Sequence, residues 1–174
     1  SGLLASALAM DKPMAKKLFA DAGIPVADHM IANRDEILSA DLMDRPYVVK
    51  PLNEGSSVGV HIVTEGDNEP LFNDAGWPYG DRVMVEKFIP GRELTVSVMG
   101  DRALGVTEIK TGREFYDYEA KYEDGGSHHV VPADIEPTVA EEAMRLAVLA
   151  HQALGCRGLS RADFRLDGKQ LYLL

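Results

Sequence analysis

With 174 residues, 45% of them hydrophobic, the chain is long enough to bury an ordinary core. Its 18 basic residues against 28 acidic ones give a net charge of −10, which argues against a general nucleic-acid or anionic-membrane surface. Any anion site must therefore be locally basic. The single cysteine, Cys156, excludes an internal disulfide and a cysteine-rich metal centre and fits a reducing cytoplasm. No run approaches the roughly 18 apolar residues of a membrane span, and Ser1 to Met10 lacks the basic start of a secretory signal. A soluble, cytoplasmic protein is expected. The missing initiator Met, and an end at Leu171-Tyr172-Leu173-Leu174 inside a strand-like run, read as a fragment of a longer protein.

In chain order, Asp11 can cap a helix whose apolar positions Met10, Met14, Leu18 and Ala22 recur every four residues. Pro13 is tolerated in its first turn and Gly23 stops it. Lys12 then sits at a helix start, where the dipole disfavours a cation unless an anion binds; taken alone, the residue reads better as a solvated lysine. Ile24 to Ala32 is a short extended segment, and Asn33 with Glu36 makes a capping box for a brief helix to about Ala40.

Pro46-Tyr47-Val48-Val49 and Val58-Gly59-Val60-His61-Ile62-Val63 are β-branched and apolar, so Lys50 to Gly59 between them should be a hairpin connection. Its two glycines allow close approach of a ligand, its two serines offer hydroxyls, and Lys50 puts a positive charge at its base. These suit a nucleotide triphosphate, although an ordinary surface hairpin accounts for the spacing as well, since it is not a Walker A motif.

Glu65 to Gly80 carries Pro70 and Pro78 and reads as a short helix with loops. Arg82 to Ile89 is an apolar-rich strand broken by Pro90-Gly91, and the lobe boundary is expected there, dividing 1–90 from 91–174. Glu86 to Ile89 with Glu93 could edge an adenine slot; these glutamates could also be a strand's solvent face. Arg92 to Met99 alternates Leu94, Val96 and Val98 on one face and should pair with Arg102 to Ile109 across the Gly100-Asp101 turn.

Thr111-Gly112-Arg113 is the next turn, and Phe115 to Ser127 is dense in aromatic and charged side chains without a clean period. Such a segment could be a lid that closes Lys121 and Tyr122 over a reacting phosphate, or a packed loop with exposed tyrosines. Ile135 to Leu154 is the clearest helix, with Val139, Ala143, Leu146, Ala147, Ala150 and Leu154 in one stripe and Gly155 at its end. His128, His129 and His151 show no metal-ligand spacing. In Leu159 to Leu166, Arg161, Asp163 and Arg165 alternate with Ala162, Phe164 and Leu166, and Asp167-Gly168 turns the chain into a final strand. Asp163 beside Arg161 is either an ion pair or one ligand of a hard cation.

Six segments in order resemble the ATP-grasp superfamily and, within it, the D-alanine:D-alanine ligase family: Ala7-Leu8-Ala9-Met10-Asp11-Lys12; Val49-Lys50-Pro51 with Glu54-Gly55-Ser56-Ser57-Val58-Gly59; Glu86-Lys87-Phe88; Glu93-Leu94-Thr95-Val96; Phe115 to Tyr122; and Arg161-Ala162-Asp163-Phe164. The resemblance covers nearly the whole chain. It implies an α+β fold of two lobes, with mainly antiparallel sheets, flanking helices and the nucleotide between them. It also implies an N-terminal domain that is absent from this sequence.

By that resemblance Lys12 and Lys50 hold the ATP phosphates and Lys121 reaches the γ-phosphate. Glu86, Lys87, Phe88 and Ile89 line the adenine slot, and Glu93 accepts from the ribose hydroxyls. Glu54, Gly55, Ser56, Ser57, Val58, Phe115 and Phe164 belong to the nucleotide-binding set. Ser56 and Tyr122 link loop to lid and orient substrate, Asp163 coordinates Mg²⁺ (with Mn²⁺ a substitute), and Arg161 stabilises charge on the reacting carboxylate. The partners implied are ATP and two molecules of D-alanine, with no nucleic acid or membrane, and a homodimer is compatible. The family pattern continues after a Tyr-Leu-Leu strand with Glu-x-Asn, beyond Leu174, and it often has an apolar residue where Arg165 stands. Rival readings are a D-alanine:D-lactate or other carboxylate-amine ligase, and a nucleotide-binding module without turnover.

Overall fold

A computed structural model describes residues 1–67, 77–111 and 127–174. The helix expected within Glu65 to Gly80 and the turn and lid expected from Gly112 onward fall wholly or mostly outside the described residues. Two helices open the chain, α1 (Leu3–Met10) and α2 (Lys12–Asp21), followed by strand β1 (His29–Asn33) and helix α3 (Arg34–Ser39). Strands β2 (Tyr47–Pro51), β3 (His61–Val63) and β4 (Arg82–Lys87) complete a first, four-stranded antiparallel sheet in the order β1-β4-β2-β3. A second, five-stranded sheet runs β7-β6-β5-β8-β9, from β5 (Arg92–Met99), β6 (Arg102–Thr111), β7 (Ser127–Val130), β8 (Leu159–Asp167) and β9 (Gln170–Leu173). Helix α4 (Pro137–Ala153) packs on that sheet.

Local chemistry accounts for most element ends. The Asp11 carboxylate accepts from the Met14 N–H at 3.0 Å and caps α2, and Gly23 takes φ +76° just beyond it. The Asn33 N–H donates to the Glu36 carboxylate at 2.7 Å, one arm of the expected capping box at α3. In α4 the stripe Val139, Ala143, Leu146, Ala147, Ala150 and Leu154 is buried as expected, and Gly155 follows at φ +66°.

Four features depart from the expectation. The row Met10, Met14, Leu18 and Ala22 does not carry the burial of α2: Met10 and Met14 are 49% and 45% exposed, and Ala15, Lys16 and Phe19 are inside. A four-residue spacing drifts by about 40° per step on a helix of 3.6 residues per turn, so such a row wanders off the buried face. Val58 and Gly59 are turn residues, and β3 begins only at His61. Helix α1 and strand β7 were not expected at all.

Each sheet has its own core. Behind the first lie Ala32, Ile37, Tyr47, Val49, Val63, Trp77, Val83 and Val85. The second is larger: Leu94, Val96, Val98, Phe164 and Leu166 of the sheet meet Val139, Ala143, Leu146 and Ala147 of α4. Ala15, Phe19 and Ile24 join this second core although they precede the first sheet in sequence. The Leu173 N–H donates to the Pro25 carbonyl at 2.9 Å, fastening the same segment to the edge strand β9.

Candidate functional site

On β2 and β4 the residues alternate between the first sheet's core and its opposite face: Val49 and Val85 point inward, Lys50 and Glu86 away. Lys50 pairs with Met84 and Glu86 with Val48 in the ladder, so the two charged side chains are diagonal neighbours within reach of each other. The Lys50 ammonium lies 2.8 Å from Oε1 of Glu86, and the Lys16 ammonium of α2 lies 2.5 Å from Oε2. Burial alone would push the Glu86 carboxyl up, but Lys50 and Lys16 more than offset it and hold the group below the usual carboxylate range. Lys16 is itself lowered by burial, against the pull of Glu86. One carboxylate facing two ammonium groups leaves the cluster net positive.

Lys12, in the first turn of α2, adds a third cation. Burial, and then the nearby Lys50 charge, lower its pKa to about 8. Its ammonium donates to the Glu54 carbonyl and its backbone N–H donates to the Leu52 carbonyl at 3.0 Å, so the helix start and the β2–β3 loop are joined. Within that loop the Val58 N–H donates to the Gly55 carbonyl and the Val60 N–H to Ser57, giving two successive tight turns. Ser56 and Ser57 take the left-handed region, φ 52° and 63°, which non-glycine residues rarely adopt and which clusters at ligand-binding segments. Gly59 is required: at φ +65°, a Cβ there would come within 2.6 Å of the Tyr79 ring and 2.9 Å of Pro51.

The second sheet supplies the opposite side. Thr95 pairs with Asp163 and Ser97 with Arg161 across β5 and β8. The Thr95 hydroxyl donates to Oδ1 of Asp163 at 2.6 Å, and Arg161 donates to Oδ2 at 2.7 Å, so both readings of that pair remain chemically compatible. The Arg165 guanidinium lies 5.7 Å over the Phe88 ring and donates to the Gly91 carbonyl at 3.2 Å. A cation stacked on an aromatic face thus fills the place where an apolar residue was expected.

These groups border one cleft of about 430 Å³. Lys12, Lys50, Glu54, Gly55, Ser56, Ser57, Val58, Glu86, Lys87, Phe88, Ile89, Glu93, Arg161 and Asp163 all line it. Phe164 does not. It is fully buried in the second core, because β8 alternates and Asp163 takes the cleft side; the expectation that it touches nucleotide is corrected to a packing role. Phe115, Lys121 and Tyr122 lie outside the described residues. Among those residues no group of three or more His, Cys, Asp or Glu side chains could hold a metal. Asp163, whose carboxylate lines the cleft and accepts from Thr95 and Arg161, could serve as one oxygen ligand of a hard cation there. Nor is any described helix long and apolar enough to cross a membrane.

Sequence reasoning missed Lys16, Thr95 and the buried His151, whose Nδ1 lies 2.7 Å from the Ser160 hydroxyl. Lys16 had a usable signal: it stands four residues after Lys12, on the same side of α2.

Two antiparallel sheets with flanking helices, a cation-lined cleft and a glycine- and serine-containing loop define an ATP-grasp fold. A family model described as D-ala D-ala ligase C-terminus matches residues 18–174, and the chain belongs to that family. It is 63% identical over 174 residues to a protein named D-alanine--D-alanine ligase from Rhodospirillum rubrum, covering 100% of this chain and 58% of that protein. Among solved structures it resembles the D-alanine--D-alanine ligase from Bacillus anthracis, with a TM-score of 0.79, 29% identity, and coverage of 100% of this chain and 58% of the other. It also resembles the VanG D-Ala:D-Ser ligase from Enterococcus faecalis, with a TM-score of 0.78, 32% identity, and coverage of 98% and 52%. The chain thus spans a little over half the length of the relatives it matches.

Proposed function

We propose that this chain is the ATP-binding part of a cytoplasmic enzyme that joins two D-alanines into D-alanyl-D-alanine for peptidoglycan precursor synthesis. The observation that carries the proposal is the pairing of both Lys16 and Lys50 with the single buried carboxylate of Glu86, with Lys12 beside them on the same cleft, in a chain of net charge −10. A net positive cluster on an acidic protein demands a polyanion. A unit charge pair 4 Å apart gains about 4 kcal/mol at an effective dielectric near 20, enough to offset the chain's overall repulsion of a triphosphate. The 63% identity to a protein named for this activity supports the particular substrate.

In this reading the lobes are 1–90 and 91–174, the nucleotide lies between the two sheets, and α2 touches both, through Ala15 and Phe19 in the second core and through Lys16 at Glu86. A carboxylate oxygen of the first D-alanine attacks the γ-phosphorus, and ADP leaves. The neutral amine of the second D-alanine then attacks the acyl carbon of the resulting acyl phosphate, and as the tetrahedral intermediate collapses the nitrogen gives up a proton and the phosphate leaves as hydrogen phosphate. Lys12 and Lys50 hold the phosphates, Lys87 to Ile89 line the adenine, and Glu93 accepts from the ribose. Arg161 faces the oxygen on which charge develops. Mg²⁺, bound in part by Asp163, would neutralise phosphate charge. Ser56 orients substrate.

The test is ADP release by the full-length protein with and without D-alanine, followed by competition between D-alanine and either D-serine or D-lactate. ADP release that depends on D-alanine, with D-alanine preferred as acceptor, is expected. Release that ignores D-alanine would overturn the proposal, and preference for another acceptor would leave the ligase but change its product. The D-Ala:D-Ser name of one structural relative is the reason to include that comparison.

A further inference from the structure

We infer that Lys16 is a positioning residue for nucleotide binding: through Glu86 it fixes the direction of the Lys50 ammonium without itself holding the ligand. The inference rests on reading the cleft as an ATP site.

Lys16 and Glu86 are each 3% exposed, so both are effectively withdrawn from water. Taking a charge out of water is costly, and a buried carboxylate is retained only when cations and hydrogen bonds satisfy it. Here the two carboxylate oxygens are divided: Oε2 faces Lys16 at 2.5 Å and Oε1 faces Lys50 at 2.8 Å. The division matters because a carboxylate held by one oxygen only can rotate about its last bond. With Oε2 drawn toward the Lys16 ammonium by charge, without a hydrogen bond between them, Oε1 is left facing Lys50, whose ammonium donates to it. Three elements, α2, β2 and β4, are tied together at this point.

Removing the Lys16 charge should therefore leave Lys50 present but poorly aimed. The loss should appear in ATP affinity, not in the chemical step, because Arg161 and Asp163 stand on the other sheet. A purely structural role for Lys16 would lower stability without this selectivity. A direct ligand role would weaken ATP binding whether or not Glu86 could relay the effect.

A double-mutant cycle in the full-length protein separates these cases. Lys16→Met should raise the Kd for ATP by about tenfold, a coupling within the range of contacting charged groups. kcat at saturating ATP should change by less than about threefold. In a Glu86→Gln background, where the link is already cut, the same Lys16→Met change should alter the Kd by less than about twofold. Equal losses in both backgrounds, or a loss confined to kcat, would overturn the inference. If Lys16→Met does not fold, Lys16→Gln is taken through the same cycle under the same criterion. Failure of the unaltered protein to bind ATP would instead remove the nucleotide reading on which the inference stands.

Discussion

Lys12 is the cation whose charge is least secure, since burial and Lys50 bring its pKa to about 8. A bound triphosphate favours the charged form and must raise that value, so nucleotide binding takes up a proton above it. The sign follows: below about pH 8 Lys12 is already charged and affinity is flat, whereas above it affinity falls by up to about tenfold per pH unit. Measuring the ATP Kd between about pH 7 and pH 10 checks this, and Lys12→Met should flatten the profile. Arg161 makes a different prediction. Arg161→Ala should leave ATP binding near normal and slow turnover by roughly 100- to 1,000-fold, the usual cost of a lost oxyanion donor; steady-state kinetics at saturating ATP would expose near-normal turnover. That Lys12, Lys50 and Arg161 stand out was legible, and all three line the cleft, because a cation at a helix start, at a loop base or beside a strand carboxylate needs a reason. Lys16 was passed over despite standing one turn after Lys12, because lysine is almost never fully buried and a helical lysine ordinarily reads as solvated. Phe164 was misread for the opposite reason: it sits beside Asp163 in sequence, yet one residue along a strand is the other face of the sheet.

Strand β5, strand β8 and helix α4 could be read directly, since each buries one face and displays the corresponding period. Helix α1 could not, because Gly2 at its start provides no side-chain cap and its eight residues include few polar ones to mark an exposed side. The start of β3 was misplaced because Val58 and Val60 look like strand residues, while the actual turn geometry is fixed by backbone contacts invisible in composition. The Pro90-Gly91 break, by contrast, was visible and carries a steric demand. Gly91 takes φ +100°, and a Cβ there would overlap the Leu166 carbonyl, a backbone atom that cannot swing aside. Gly91→Ala should therefore destabilise the protein by about 1–3 kcal/mol, read as a lowered denaturation midpoint. Gly55→Ala, with open space around its would-be Cβ, should leave that midpoint nearly unchanged.

At the scale of the molecule, the two-sheet architecture was legible from the resemblance, but the attachment of α2 was not. A chain read in order assigns Lys12–Asp21 to the sheet that follows it, yet Ala15 and Phe19 belong to the core of the distant second sheet. Long-range packing of that kind leaves no local pattern. It also means that α2 is anchored by its apolar side in one core while its lysines reach the carboxylate of the other sheet.

Two cores with one helix between them amount to two units that can open separately, each with its own free energy of exposure. Amide hydrogen exchange should resolve them: β1 to β4 around Tyr47 and Val83 as one protected group, and β5, β8 and α4 around Phe164 and Leu146 as another, slower one. Saturating ATP, bound across both, should slow exchange in the first group toward that of the second, by about 2.7 kcal/mol of protection at a hundredfold excess over Kd. A single exchange rate without nucleotide would count against two units. Lys16 would then be more than a local contact: it is the point at which the lability of one unit is communicated to the other, so that the binding cleft doubles as the seam along which the protein breathes.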